Sequence, residues 1–203
     1  MKQYYRKLPH IQPIEAVFFI TARLHGSLPI AVLEQIREQR EQEIKRLSAN
    51  PEQDRIDRKK RDFARYENYL NNPKNGPYWL SDPEVAQLLT EAFHYRDNKQ
   101  YELVAFCVMS NHYHLLIDTR KLGHEKWPLH RIMQPLHSHV ALKANEHLNR
   151  ASTFWHDEYY DHIIRDDAEL RRVIEYTLNN PVKAGLVDEW QQWPHSYVNE
   201  VYW

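Results

Sequence analysis

The stretch from Leu103 to Asp118 constrains the fold more than any other. Two apolar runs, Leu103-Val104-Ala105-Phe106-Cys107-Val108 and Tyr113 to Ile117, are separated by the polar break around Ser110-Asn111. Ser and Asn favour turns, so the runs read as two β-strands joined by a tight turn. Side chains alternate across a strand, which places His112 and His114 on one face and Tyr113, Leu115 and Ile117 on the other. Two neutral imidazoles side by side make half of a site for a divalent cation. The chain holds 13 His in 203 residues. The pair therefore also fits two polar rings on a solvated sheet face.

A chain of 203 residues fits one domain carrying an elaboration, here a charged helical insertion at about 38–75. Its formal net charge of −1 gives no global field for a polyanion, so any nucleic-acid contact must come from a local patch. The single cysteine, Cys107, excludes an intrachain disulfide and a cysteine-rich zinc site, and agrees with a reducing compartment. Residues 1–6 carry no signal-like apolar segment and no run approaches transmembrane length. The expectation is a cytoplasmic protein without membrane attachment.

Along the chain, residues 1–15 form a polar lead-in, and Ala16 to Leu24 reads as a buried strand closed by His25-Gly26-Ser27. Ile30, Leu33 and Ile36 recur at helical spacing until Ser48-Ala49-Asn50-Pro51 breaks the helix. The charged segment Glu52 to Leu70 holds a basic cluster of Arg55, Arg58, Lys59, Lys60, Arg61 and Arg65. Glu52, Asp54, Asp57, Asp62 and Glu67 are interleaved with it, and this mixture reads as a solvated, salt-bridged face. Asn71 to Pro77 ends that segment. Ser81-Asp82-Pro83-Glu84 starts a helix with Val85, Leu88, Leu89 and Phe93 on its apolar face. After the strand pair, Gly123 and Pro128 bracket a loop. Leu129 to Arg150 reads as a helix, with Pro135 near its start or kinking it. A short strand at His162 to Arg165 precedes a helix capped by Asp166-Asp167 and ended by Pro181 and Gly185. The tail from Trp190 to Trp203 is aromatic and fills a groove in the core. The order strand, helix with insertion, strand, strand, helix, strand, helix gives the fold class: α+β, a ferredoxin-like split βαβ antiparallel sheet with an additional C-terminal helix.

That late helix carries Tyr176 and Asn180, four residues apart and so on one face. Brought to the paired histidines, they would complete a phosphodiester-cleaving site. Two ring nitrogens and one amide oxygen would hold a cation that polarises the phosphate, and the phenol would attack. On the residues alone, Tyr176 as a helix aromatic with its hydroxyl at the surface and Asn180 as a C-terminal cap is the favoured reading.

Five blocks carry a family resemblance: Phe18-Phe19-Ile20-Thr21-Ala22-Arg23-Leu24-His25-Gly26-Ser27-Leu28-Pro29; Tyr78-Trp79-Leu80-Ser81-Asp82-Pro83; Met109-Ser110-Asn111-His112-Tyr113-His114; Phe154 to Asp166; and Tyr176-Thr177-Leu178-Asn179-Asn180-Pro181 through Val187. Together they resemble the REP-associated tyrosine transposases, within the single-tyrosine, HUH-type superfamily. Relatives usually have Pro where Ser110 stands and Ile where Thr177 stands; neither position supplies a ligand. The resemblance implies a ferredoxin-like nuclease that cleaves and rejoins single-stranded DNA near hairpins, leaving a 5′-phosphotyrosine and a free 3′-OH. It implies His112 and His114 as metal ligands, Tyr176 as nucleophile, Asn180 as a third polar ligand, and Mg²⁺ or Mn²⁺ as the ion. Arg23, Arg165, Arg171, Arg172 and Lys183 are the phosphate-contact candidates, and the protein would act as a monomer or homodimer.

Two rival readings from other classes remain at this stage. One is a retired relative that binds DNA hairpins without cutting. The other is a metal-dependent hydrolase in which Tyr176 is only structural.

Overall fold

A computed structural model describes residues 15–45, 61, 63–71, 76–120 and 127–203. The lead-in, the Ser48 to Pro51 break, the basic residues from Arg55 to Lys60 and the loop at Gly123 lie outside those residues, except for Glu15 at the end of the lead-in.

The sheet has five antiparallel strands: β1 (Val17–Arg23), β2 (Glu102–Val108), β3 (His112–Asp118), β4 (Tyr160–Ile164) and β5 (Ser196–Val198). They are ordered β4-β1-β3-β2-β5. The first four are in the order expected of a split βαβ fold, and β5 extends the β2 edge. That fifth strand lies in the tail expected to fill a groove. Part of the tail packs on the core: Tyr197 stacks on Phe106, with ring centroids 5.5 Å apart. Trp190, Val198 and Tyr202 pack on the side of the helix Asp167–Leu178, while Val201 and Trp203 are exposed.

β1 and β3 are buried along their whole length. Helices cover both faces of the sheet, which explains why these strands read as continuous apolar runs instead of alternating ones. On one face Phe18, Ile20, Leu115 and Ile117 pack with α3 (Pro83–Arg96) and α4 (Leu129–His147). On the other, Val17, Phe19 and Leu116 meet Leu170, Ile174 and Leu178 of α5 (Asp167–Leu178). A bulge between Leu103 and Ala105 shifts the β2 register, and both Val104 and Ala105 join the α5 side. Cys107 then pairs with His114 across the ladder.

The helix starts follow the capping signals. Asp82 accepts from the Glu84 and Val85 amides at 2.9 and 3.2 Å, with Pro83 at the first helical position. Asp166 accepts from the Glu169 amide at 2.7 Å. Pro135 lies inside α4, two turns from its start. Between β1 and α3 lie α1 (Ile30–Lys45) and a helical stretch at 63–70, here α2. After α5 the chain makes one more turn, α6 (Asn180–Lys183), and leaves it at Gly185 with φ +68°, a value glycine tolerates without a Cβ penalty. None of the described helices is long and apolar enough to cross a membrane.

Candidate active site

The site forms on the α5 face of the sheet, over the middle of β1 and β3. His112 and His114 project together, as the strand period requires, and both are fully buried with ring centroids 4.9 Å apart. Each is fixed by its inner nitrogen. Asn111 donates through Nδ2 to the Leu70 carbonyl at 2.9 Å, which leaves its Oδ1 facing His112 Nδ1 at 2.7 Å. An amide oxygen only accepts, so the His112 proton sits on Nδ1 and the Nε2 lone pair is bare. Thr21 Oγ1 lies 2.8 Å from His114 Nδ1. A hydroxyl both donates and accepts, so His114 Nε2 can offer either a proton or a lone pair.

Glu67 completes the group. Its carboxylate lies 3.3 Å from His114 Nε2, and one ligand atom each from Glu67, His112 and His114 fall within 4.8 Å of one another. The same Oε2 atom accepts from the Tyr176 hydroxyl at 2.5 Å. Burial acts to raise the Glu67 carboxyl, but the His114 and His112 rings and the Tyr176 hydroxyl outweigh it and hold it at about 2. Burial pushes the His112 imidazolium down to about 3, against the Glu67 charge, so this ring is neutral at pH 7. Tyr176 is driven well above the ordinary phenol range by burial first and then by the Glu67 charge and hydrogen bond.

Of the buried side-chain atoms without a hydrogen-bond partner among the described residues, four belong to these side chains: His112 Nε2, His114 Nε2, Glu67 Oε1 and Asn180 Oδ1. Orphaned buried polar atoms are costly. A cation would satisfy such a donor set of imidazole nitrogen with carboxylate or amide oxygen. The residues fit a divalent metal, and the buried Glu-His-His group is able to hold one.

The other residues named from sequence fall at different distances from this centre. Asn180 is fully buried, and its Nδ2 donates to the Tyr176 carbonyl at 2.9 Å. Arg23 pairs with His112 in the β1–β3 ladder and shares its sheet face. Arg23 is 8% exposed, and burial lowers its guanidinium to about 10 despite the opposing Tyr66 and Glu158. Lys183 Nζ sits 4.5 Å from the Tyr176 ring centre. Arg172 is one helical turn before Tyr176 and on its face, whereas Arg171 is turned away; both are exposed. Arg165 is exposed ahead of α5, its amide donating to Glu169 at 2.9 Å.

Three residues were missed. Glu67 was read as part of a solvated face; the structure corrects this, because it is 5% exposed beneath α2. The signal was its place in Phe63-x-x-x-Glu67-x-x-Leu70, an acid on an apolar stripe. Thr21 and Asn111 stand in the matched blocks, but as partners of the histidines they leave no pattern of their own.

The family model described as "Transposase IS200 like" matches residues 73–180, more than half of the chain. The chain belongs to this family. Within the family, a Haemophilus influenzae relative named for the REP-associated tyrosine transposases is 31% identical over 104 residues. The alignment takes in 47% of this IS200-like chain and 58% of that relative, less than two thirds of its length. A solved structure of a REP-associated tyrosine transposase bound to a REP hairpin superposes with a TM-score of 0.52 at 16% identity. It covers 97% of this chain and 82% of that one. At that identity the likeness establishes a shared fold.

Proposed function

We propose that this IS200-like family member cleaves and rejoins single-stranded DNA near hairpin repeats through a covalent bond to Tyr176. The observation that carries the reading is the Tyr176 hydroxyl meeting, on one carboxylate oxygen, the nitrogen of a buried histidine pair. A nucleophile, ligand atoms and an excluded-water setting meet there, as phosphoryl transfer requires.

In the proposed step the Tyr176 oxygen bonds to phosphorus as the bond from phosphorus to the 3′-oxygen breaks. The phenol loses its proton, and the leaving 3′-oxygen gains one. One phosphodiester replaces another, so the 5′-phosphotyrosine keeps the energy for rejoining and no nucleotide triphosphate is needed. His112 and His114 would hold the metal through Nε2, with the Asn180 amide oxygen or Glu67 as the third donor. Such an ion, Mg²⁺ or Mn²⁺, would supply Lewis-acid polarisation of the phosphoryl oxygens. Asn111 and Thr21 keep the two rings aimed. Lys183, beside the Tyr176 ring, and Arg23, opposite His112, would contact the scissile phosphate, with Arg172 on the Tyr176 face; Arg165 and Arg171 would serve flanking DNA. We assign residues 1–203 to one domain with the insertion at about 38–75, acting in the cytoplasm as monomer or homodimer.

The test is incubation of wild type and Tyr176→Phe with labelled hairpin oligonucleotides, including the repeat flanking the gene, and Mn²⁺. A protein-linked DNA band on a denaturing gel from wild type alone is the expected result. Tight binding of that repeat without any adduct would sink the proposal and leave a DNA-binding relic.

A further inference from the structure

Helix α2 puts two side chains into the site from one face, a turn apart. Glu67 places a carboxylate oxygen 2.5 Å from the Tyr176 hydroxyl and 3.3 Å from His114 Nε2. Phe63 stacks on Tyr160 with ring centroids 4.4 Å apart and planes 28° from parallel. The same ring lies edge-on to Phe19 at 5.6 Å and 6.0 Å from the Tyr176 ring.

An anion beside a flat ring is what one nucleotide presents. The phosphate that Tyr176 attacks must bring an oxygen within reach of both the phenol and a histidine nitrogen, and Glu67 Oε2 holds that position. Bases stack on aromatic side chains in single-strand sites, and Phe63 fills the slot over Tyr160. With α2 seated, both histidines are fully buried and Tyr176 is half-buried, so no phosphodiester can enter.

We infer that α2 is a built-in substrate mimic. Glu67 stands in for the scissile phosphate and Phe63 for an adjoining base, which in the DNA complex stacks on Tyr160. This rests on the phosphoryl-transfer reading above and adds what closes the site and what opens it. The exchange swaps one negative group for another beside the histidines, leaving local charge balanced. At the C-terminal turn of the helix Asn111 Nδ2 donates to the Leu70 carbonyl at 2.9 Å and the Tyr69 hydroxyl donates to Gln35 Oε1 at 3.0 Å. Opening requires residues 63–67 to leave the site.

A permanent ligand and a mimic predict effects of opposite sign. Wild type, Glu67→Gln, Phe63→Leu and the double variant, each confirmed folded by circular dichroism, are titrated against a fluorescent hairpin with a single-stranded tail taken from the flanking repeat. Anisotropy is read in Mn²⁺ and again in EDTA, and adducts are followed on denaturing gels. Weakening the closed state raises the open fraction, so each single variant should bind about tenfold tighter, in EDTA as well as in Mn²⁺. Adding Tyr160→Ala to Glu67→Gln should reverse much of that gain. Equal or weaker binding by Glu67→Gln overturns the inference, as does absence of binding by all four proteins. Tighter binding by the variants with no adduct from any protein upholds the mimic while refuting tyrosine transfer. An adduct from wild type that Glu67→Gln loses, with binding unchanged, does the reverse.

Discussion

Asn111 offers the sharpest test of how the histidine pair is aimed. Its amide holds two elements at once, donating to Leu70 of α2 and accepting from His112 of β3. In Asn111→Ala both partners are orphaned in a place where Asn111 itself was 1% exposed. At about 1–3 kcal/mol for each buried group left unpaired, partly relieved by relaxation, the loss in stability should be roughly 2–4 kcal/mol. The freed His112 ring can change tautomer or rotate, and losing such an outer partner weakens metal binding about 10- to 100-fold. Asn111→Asp separates the two effects. A carboxylate still accepts from His112 Nδ1, so Mn²⁺ affinity should hold or rise, while the lost donor to Leu70 should still cost about 1–3 kcal/mol. Calorimetric Mn²⁺ titration and urea unfolding of the metal-free proteins read the two quantities independently. Equal weakening of Mn²⁺ binding by Ala and Asp would refute the orientation argument, because the acceptor at His112 would then be irrelevant.

Two further outcomes follow from α5. Ile174 is fully buried between this helix and the sheet, so Ile174→Ala should cost about 2–5 kcal/mol in urea unfolding. Glu169 lies below its ordinary carboxyl range because the His162 hydrogen bond, with the Arg165 amide, outweighs burial acting in the other direction. A depressed folded value means the stabilisation is present above the unfolded value of 4.5 and is lost as pH falls through the folded one. Glu169→Gln should therefore flatten the acid side of the stability curve below about pH 5, measured by thermal melts across pH.

Much of this was legible in sequence because it is local. The period of two along β3 aligns His112 with His114, the four-residue step on a helix aligns Tyr176 with Asn180, and Asp82 and Asp166 mark helix starts within three residues of their partners. The remainder depends on long-range placement. Glu67 lies 109 residues from the tyrosine it contacts. The segment from Glu52 to Glu67 is dense in charge, so composition argued for solvent, and only the seating of α2 on the sheet reverses that. Thr21 is likewise 93 residues from His114, through a ladder that a single sequence does not specify. β5 has only three residues, too short to stand out from the aromatic tail.

The scatter of these residues along the chain also bears on synthesis. The histidine ladder needs β1 and β3, whereas Tyr176 rides on α5, whose docking needs the finished sheet beneath it. Sheets built from distant segments assemble late compared with local helices. A chain still emerging from the ribosome thus carries the histidine pair without Tyr176 aligned to it. On the proposed reading, the assembled site exists only after the last of these parts has been translated and docked, so the threading of the chain would itself be a safeguard for the DNA around it.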